Sequence, residues 1–259
     1  MRTYVITGAA SGIGKATSEL LQERGHAVIG VDLKGSDVDA DLSTAEGRAD
    51  MVEAVTEKSG GTIDAIIAGA GLSTPTVATA KVNYYGAVGT LEGLRPLLVG
   101  SPAPRAVAIA SMASLYPPDE DLLHLFLDGA EDDALARAEA LAASDPQTAN
   151  MIYGTSKRAL ALWIRRHAAR EQWAHAGIPL NAVAPGIIRT PMTKDLTATE
   201  EATKSLLEMV PMPLNGIADA IVVARLMAWL TSEENTHLCG QVVFVDGGSD
   251  VVMRGESTW

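Results

Sequence analysis

Short apolar runs alternate along the chain with stretches in which apolar residues return every three or four positions, the first pattern suiting buried strands and the second amphipathic helices. Strands are expected at residues 3–7, 27–31, 63–68, 106–110, 179–184 and 241–245, with a short third strand ending at Asp41. Helices are expected at 15–24, 45–58, about 81–98, about 151–175 and 217–230, and Gly25 is placed to end the first. Strands that alternate with helices run parallel, because each crossover contains a helix, and the helices then cover both sheet faces. The expected fold class is α/β: one doubly wound, seven-stranded parallel sheet. No repeat, linker or low-complexity tract divides the sequence, so residues 1–259 are expected to form a single domain.

Two stretches depart from the alternation. Residues 117–150 open with Pro117-Pro118 and carry two helical runs, 121–127 and 132–143, with a loop to Asn150. Nine acids against Arg137 give this stretch −8 of the net −12. It reads either as a solvated acidic helix pair or as a cap that changes subunit contacts or shields a site. Residues 188–213 set Met192, Leu196, Leu206, Leu207, Met209 and Met212 among polar positions. This segment is either packing or a mobile lid over an apolar ligand.

Charge and composition exclude several classes. With no basic stripe to neutralise phosphates, a nucleic-acid partner is not expected. No apolar run approaches the roughly eighteen residues of a membrane span. The N-terminal residues lead directly into a strand-like run without the basic, apolar and small-residue order of a signal peptide, so a cytoplasmic enzyme is expected. The single cysteine, Cys239, excludes an internal disulfide and reads as a small apolar filler; five scattered histidines lack ligand spacing, and no metal is expected.

The chemistry begins at Gly8-Ala9-Ala10-Ser11-Gly12-Ile13-Gly14, between the first strand and the first helix. Glycines there let the backbone approach a pyrophosphate at a helix N-terminus, where free N–H groups and the dipole favour negative charge. The spacing is not Gly-x-Gly-x-x-Gly, but Asp32 closes the second strand 18 residues beyond Gly14. Its carboxylate can accept hydrogen bonds from both ribose hydroxyls and would repel a 2′-phosphate, so NAD is the expected cofactor, with Lys15 and Lys34 able to offset the acid. Tyr153 and Lys157 stand four apart on an expected helix and share a face. Beyond an ordinary surface pair, an adjacent ammonium would lower the phenol from about 10 by roughly 1 to 3 units, towards acid/base work near neutral pH. Ser111 follows the fifth strand at its C-terminal end, where chemistry gathers in doubly wound sheets.

Taken together, Thr7-Gly8-x-x-x-Gly12-x-Gly14, the Asn of Val82-Asn83-Tyr84-Tyr85-Gly86, Ser111, Tyr153-x-x-x-Lys157, Asn181-x-x-x-Pro185-Gly186 and Val245-Asp246-Gly247-Gly248 resemble the short-chain dehydrogenase/reductases over nearly the whole chain. More narrowly, residues 40–48, the long segment before Tyr153 and Val251-Val252-Met253-Arg254 resemble the bacterial 3α-hydroxysteroid dehydrogenase/carbonyl reductase subgroup. The resemblance implies a Rossmann-type sheet and an NAD-dependent oxidoreductase that interconverts a secondary alcohol and a ketone. Tyr153 would be the acid/base, Ser111 would hold the substrate oxygen, Lys157 would bind the ribose, and Asn83 would place a water in the proton relay. Gly8, Ser11, Gly12, Ile13 and Gly14 would meet the pyrophosphate, and Asp41 and Leu42 would flank the adenine. Ala70, Gly71, Pro185 and Gly186 would supply backbone beside the cofactor, and Thr190 would bind the carboxamide with a backbone partner at Ile188.

Against the family pattern, residues 117–150 are an insertion before the catalytic helix. Ala68 and Gly69 stand where relatives commonly have asparagines, so side-chain support of the sheet is expected to be missing there. A small apolar alcohol or ketone is the expected substrate and a homodimer the expected assembly. The rival readings are a reductase of non-steroid cyclic or aromatic ketones and a non-catalytic NAD-sensing scaffold.

Overall fold

A computed structural model describes residues 1–258. The first six strands are β1 (Thr3–Thr7), β2 (Ala27–Asp32), β3 (Val38–Asp39), β4 (Ala65–Ala68), β5 (Arg105–Ile109) and β6 (Leu180–Pro185). Two-residue β7 (Ile188–Arg189) and β8 (Ala218–Asp219) pair separately, and β9 (Val242–Val245) returns to the main sheet. That sheet is parallel and seven-stranded, in the order β3-β2-β1-β4-β5-β6-β9.

The helices are α1 (Gly12–Glu23), α2 (Ala45–Ser59), α3 (Val77–Ala80), α4 (Ala87–Leu94), α5 (Glu120–Asp128), α6 (Glu131–Ala142), α7 (Pro146–His167), α8 (Glu200–Met209), α9 (Ala220–Leu230) and α10 (Ser249–Arg254). A π-helical turn, Lys81–Gly86, joins α3 to α4 and contains Asn83. Alternate strand residues face opposite ways. Tyr4, Ile6, Ile67 and Val107 pack with Leu21 of α1 and Met227 of α9. Val5, Ile66, Ala106 and Ala182 pack with Met51 of α2, Leu91 of α4 and Leu160 of α7. Burial on both faces explains why the strands read as near-continuous apolar runs.

The insertion is more than a solvated helix pair. Leu122, Leu123 and Phe126 of α5 and Ala134, Ala138 and Leu141 of α6 are buried in the same core as α4 and α7. Phe126 packs 4.6 Å from Tyr84 and 5.6 Å from Tyr85, ring centre to ring centre. Glu120, Asp121, Asp128, Asp132, Asp133, Glu139 and Asp145 are exposed. At its entry, the Asp119 backbone N–H donates to Thr155 Oγ1 of α7 at 3.0 Å, and Arg137 grips the Asp119 carboxylate at 3.0 and 2.5 Å. That arginine holds the Asp119 carboxyl below its usual range.

Several expected boundaries move. The third strand ends at Asp39, leaving Asp41 in the following loop. Helix α7 starts at Pro146 rather than 151, because Asp145 accepts from the N–H groups of Gln147 and Thr148 and Pro146 occupies the first helical position. It ends at His167, not 175. Ile217 stays outside the last long helix, which starts at Ala220 after the β8 pairing. No helix among the described residues is long and apolar enough to cross a membrane.

Candidate active site

Neighbouring strands β1 and β4 send their following segments to opposite faces of the sheet, and a cleft of about 530 Å³ opens at the C-terminal strand ends there. Gly8, Ser11, Gly12, Ile13 and Asp32 line it, as do Asp41, Leu42, Ala70 and Gly71. So do Ser111, Tyr153, Lys157, Pro185, Gly186, Ile188 and Thr190. Gly14 and Asn83 do not.

The glycine turn is shaped by close approach. Gly8 has φ +75°, and a Cβ there would lie 2.9 Å from the Ala70 backbone. Gly14 is a packing glycine: a Cβ would lie 2.2 Å from the Gly8 carbonyl oxygen, so α1 could not seat against the turn. Ser11 is the N-cap of α1 but makes no side-chain cap bond, which leaves the first-turn N–H groups for a ligand. A Cβ-free cradle facing open helix N–H groups fits a dinucleotide pyrophosphate.

At the adenosine end, the Asp32 carboxylate accepts from Ala10 N–H at 2.9 Å and Leu33 N–H at 2.7 Å. Lys15 pairs with Glu19 at 3.8 Å, while Lys34 is exposed. Asp41 Oδ1 accepts from Ser43 N–H, and hydrogen bonding by Ser43 lowers the Asp41 pKa. The sheet support expected to be missing near Ala68 and Gly69 comes instead from Thr7. Its hydroxyl oxygen accepts from Gly69 N–H at 3.0 Å and Ala70 N–H at 3.2 Å.

At the other end Ser111, Tyr153 and Lys157 converge on the cleft. Ser111 Oγ accepts from Ala113 N–H at 3.1 Å, which leaves its own proton free to donate. The expected lowering of the Tyr153 pKa by Lys157 is not seen in this structure. Burial raises the phenol, with the neighbouring Ser111 hydroxyl acting in the opposite direction. The Lys157 ammonium instead donates to the Ile109 carbonyl at 2.8 Å, and burial pushes its pKa down to about 8.

Asn83 stands behind the residues that line the cleft. Its amide lies beneath the cleft, fully buried, accepting from Leu72 N–H at 2.8 Å and donating to Leu72 O at 2.9 Å and Ser156 Oγ at 3.2 Å. The side chain fastens the Leu72 loop to α7 and does not face the cleft.

Sequence reasoning missed Thr193, whose hydroxyl donates to Ile188 O at 2.6 Å and accepts from Thr190 N–H at 3.2 Å. The Thr190-x-x-Thr193 spacing of a reciprocal cap was a readable signal. Beyond it the 188–213 segment divides. Val210 and Met212 are buried, and Ile187 N–H donates to Met212 Sδ at 3.3 Å. Met192, Leu196 and Met209 are exposed, with Met192 on the cleft rim.

A doubly wound sheet, a glycine-built dinucleotide cradle and Ser, Tyr and Lys side chains at one cleft define an oxidoreductase with a nicotinamide dinucleotide cofactor, and the chain belongs to the short-chain dehydrogenase/reductase family. A family model described as enoyl-(acyl carrier protein) reductase matches residues 136–250. A 3-alpha-hydroxysteroid dehydrogenase/carbonyl reductase from Comamonas testosteroni is 36% identical over 258 residues, covering 98% of each chain. The crystal structure of a 3-alpha-hydroxysteroid dehydrogenase from Pseudomonas sp. B-0831, complexed with NADH, is similar with a TM-score of 0.88. It shares 35% identity, and the match covers 98% of this chain and 99% of that one. A 3-oxoacyl-[acyl-carrier-protein] reductase from Thermotoga maritima is 28% identical over 273 residues, covering 95% of this chain and 97% of its own.

Proposed function

We propose that this oxidoreductase is an NAD-dependent 3α-hydroxysteroid dehydrogenase/carbonyl reductase. The observation that carries the reading is the substrate end of the cleft: Ser111 and Tyr153 stand near an apolar rim at Met192, and apart from Lys157 no lysine or arginine lines the cleft among the described residues. A phosphorylated or carboxylate-rich substrate would lack a charge partner there, whereas a bulky neutral alcohol or ketone buries its rings at about 25 cal/mol per Å². The Comamonas and Pseudomonas relatives support the narrower steroid reading.

A nicotinamide dinucleotide held in this cleft would supply the hydride acceptor in oxidation and the donor in reduction. Tyr153 takes the alcohol proton in one direction and protonates the carbonyl oxygen in the other. Ser111 donates a hydrogen bond to that oxygen. Lys157, with one N–H spent on Ile109, has two more to offer the ribose hydroxyls. Asp32, with Lys15 paired to Glu19, favours NAD over NADP. The insertion covers the face of α4 and α7, leaving exposed Val222 and Trp229 of α9 and Val251 and Val252 of α10 for pairing, which supports a homodimer.

Steady-state assays with androsterone-like 3α-alcohols, their 3β epimers and small cyclic ketones test the substrate. Oxidation of the 3α-alcohols is expected. No such oxidation, beside efficient reduction of small ketones, would leave a non-steroid ketone reductase.

A further inference from the structure

We infer that Arg48 and Glu131 form a positioning pair through which the acidic insertion holds the adenine side of the cofactor cleft. Arg48 lies in the first turn of α2, just after residues 40–43, which line the cleft. Its Nη2 meets Glu131 of α6 at 3.1 and 3.4 Å, while its Nη1 reaches the Leu42 carbonyl at 3.5 Å. One guanidinium therefore joins the adenine wall to the insertion.

The loop and the start of α2 are built as a unit. Thr44 N–H and Oγ1 both donate to the Asp41 carbonyl at 3.2 Å, and Thr44 Oγ1 accepts from Gly47 N–H at 3.0 Å. A Cβ at Gly47 would lie 2.1 Å from that Asp41 carbonyl oxygen. The unit beds into α4 where side chains are missing. A Cβ at Gly86 would lie 3.2 Å from Leu42, and one at Gly89 would lie 2.7 Å from Arg48 Cδ. Arg48 is thus confined along its stem and is only 13% exposed at its side chain.

Tyr85, close enough to feel both charges, is buried with an unpartnered hydroxyl, and burial raises its pKa. Removing Glu131 would leave a largely buried guanidinium without its charge partner, which costs more than an exposed pair is worth. Glu131 itself is 38% exposed, so the expected effect is moderate.

This inference rests on the dinucleotide cleft and not on the identity of the alcohol, so failure of the steroid assay leaves it standing. NADH binding by fluorescence and AMP binding by calorimetry, on the full chain, test it. Glu131→Gln is expected to weaken NADH and AMP alike by roughly 3- to 10-fold, with kcat at saturating cofactor within about twofold. The same change made in an Arg48→Met background should add nothing. Arg137→Met, which cuts the ion pairs to Asp119 and Asp121 inside the insertion, should lower the melting temperature and leave both affinities unchanged. Unchanged NADH and AMP affinities in folded Glu131→Gln protein would overturn the proposal. Equal weakening by Arg137→Met would also overturn it, since the insertion would then act through general stability.

Discussion

α5 and α8 are built by the same local rules. They span 9 and 10 residues, each has two acids in its first turn, and each has an N-cap oxygen accepting a backbone N–H, Asp119 from Leu122 and Thr199 from Ala202. Yet α5 buries Leu122, Leu123 and Phe126, and α8 buries none of its residues. The difference lies in the surface each meets. α5 lands on the rings of Tyr84 and Tyr85, while α8 follows the cofactor turn with Leu206 and Leu207 half-covered and Met209 exposed. Capping and periodicity decide that a helix forms; a complementary apolar surface decides whether it is committed.

The largest expected effect tests commitment directly. Phe126→Ala should cost about 3–5 kcal/mol in thermal or denaturant unfolding, because a ring between two tyrosines leaves a cavity. Leu206→Ala on α8 should cost under about 1 kcal/mol, since little of its burial is lost. Equal losses would erase the contrast between the helices. Next in size, Tyr153→Phe removes the transferable proton from α7, the helix that α5 secures. Turnover should fall at least about 10²-fold while NADH titration stays near wild type. Near-wild-type turnover would remove Tyr153 from the chemistry.

A pH series then separates the two directions of reaction. Because burial raises Tyr153, the phenol is protonated at neutral pH and ready to donate, so ketone reduction should hold steady from about pH 6 to 8. Alcohol oxidation needs the deprotonated form and should climb with pH, approaching about tenfold per unit. Flat oxidation profiles would show that another group takes the proton. The smallest effect belongs to the uncommitted side. Met192→Ala should raise KM for a bulky apolar substrate about 3- to 10-fold through lost contact, with kcat and the KM of a small cyclic ketone little changed. Equal effects on both substrates would show that Met192 merely packs.

The main sheet was legible because both faces of its strands are covered, which makes the apolar runs hard to mistake. The glycine turn, Asp32, Tyr153 and Lys157, singled out by residue type at fixed spacing, and Ser111, singled out by its strand end and by resemblance, meet at one cleft. What escaped depends on contacts between distant segments. Asp145-Pro146 reads as a breaker but starts α7. The insertion's helices were visible, whereas their target at Tyr84 and Tyr85 was not. Thr7 serves backbone groups 62 and 63 residues away, and Lys157 is drawn to a carbonyl 48 residues away. The Tyr153 and Lys157 spacing brings both to the cleft, where burial raises the phenol and lowers the amine.

The two-residue pairing of β7 with β8 has a consequence for engineering. Ile188 and Arg189 lie against Ala218 and Asp219, and Arg189 Nη1 donates to Ile217 O at 2.8 Å, so everything between leaves and re-enters the enzyme through one clasped doorway. Doubling the length of a loop with fixed ends adds only about 0.6 kcal/mol of closure entropy. Within the segment behind that doorway, Thr193 is tied to Ile188 and Met212 to Ile187, whereas no residue from 194 to 209 is buried. Changes of length are therefore expected to be tolerated best in that stretch, with the clasp and the cleft lining left in place.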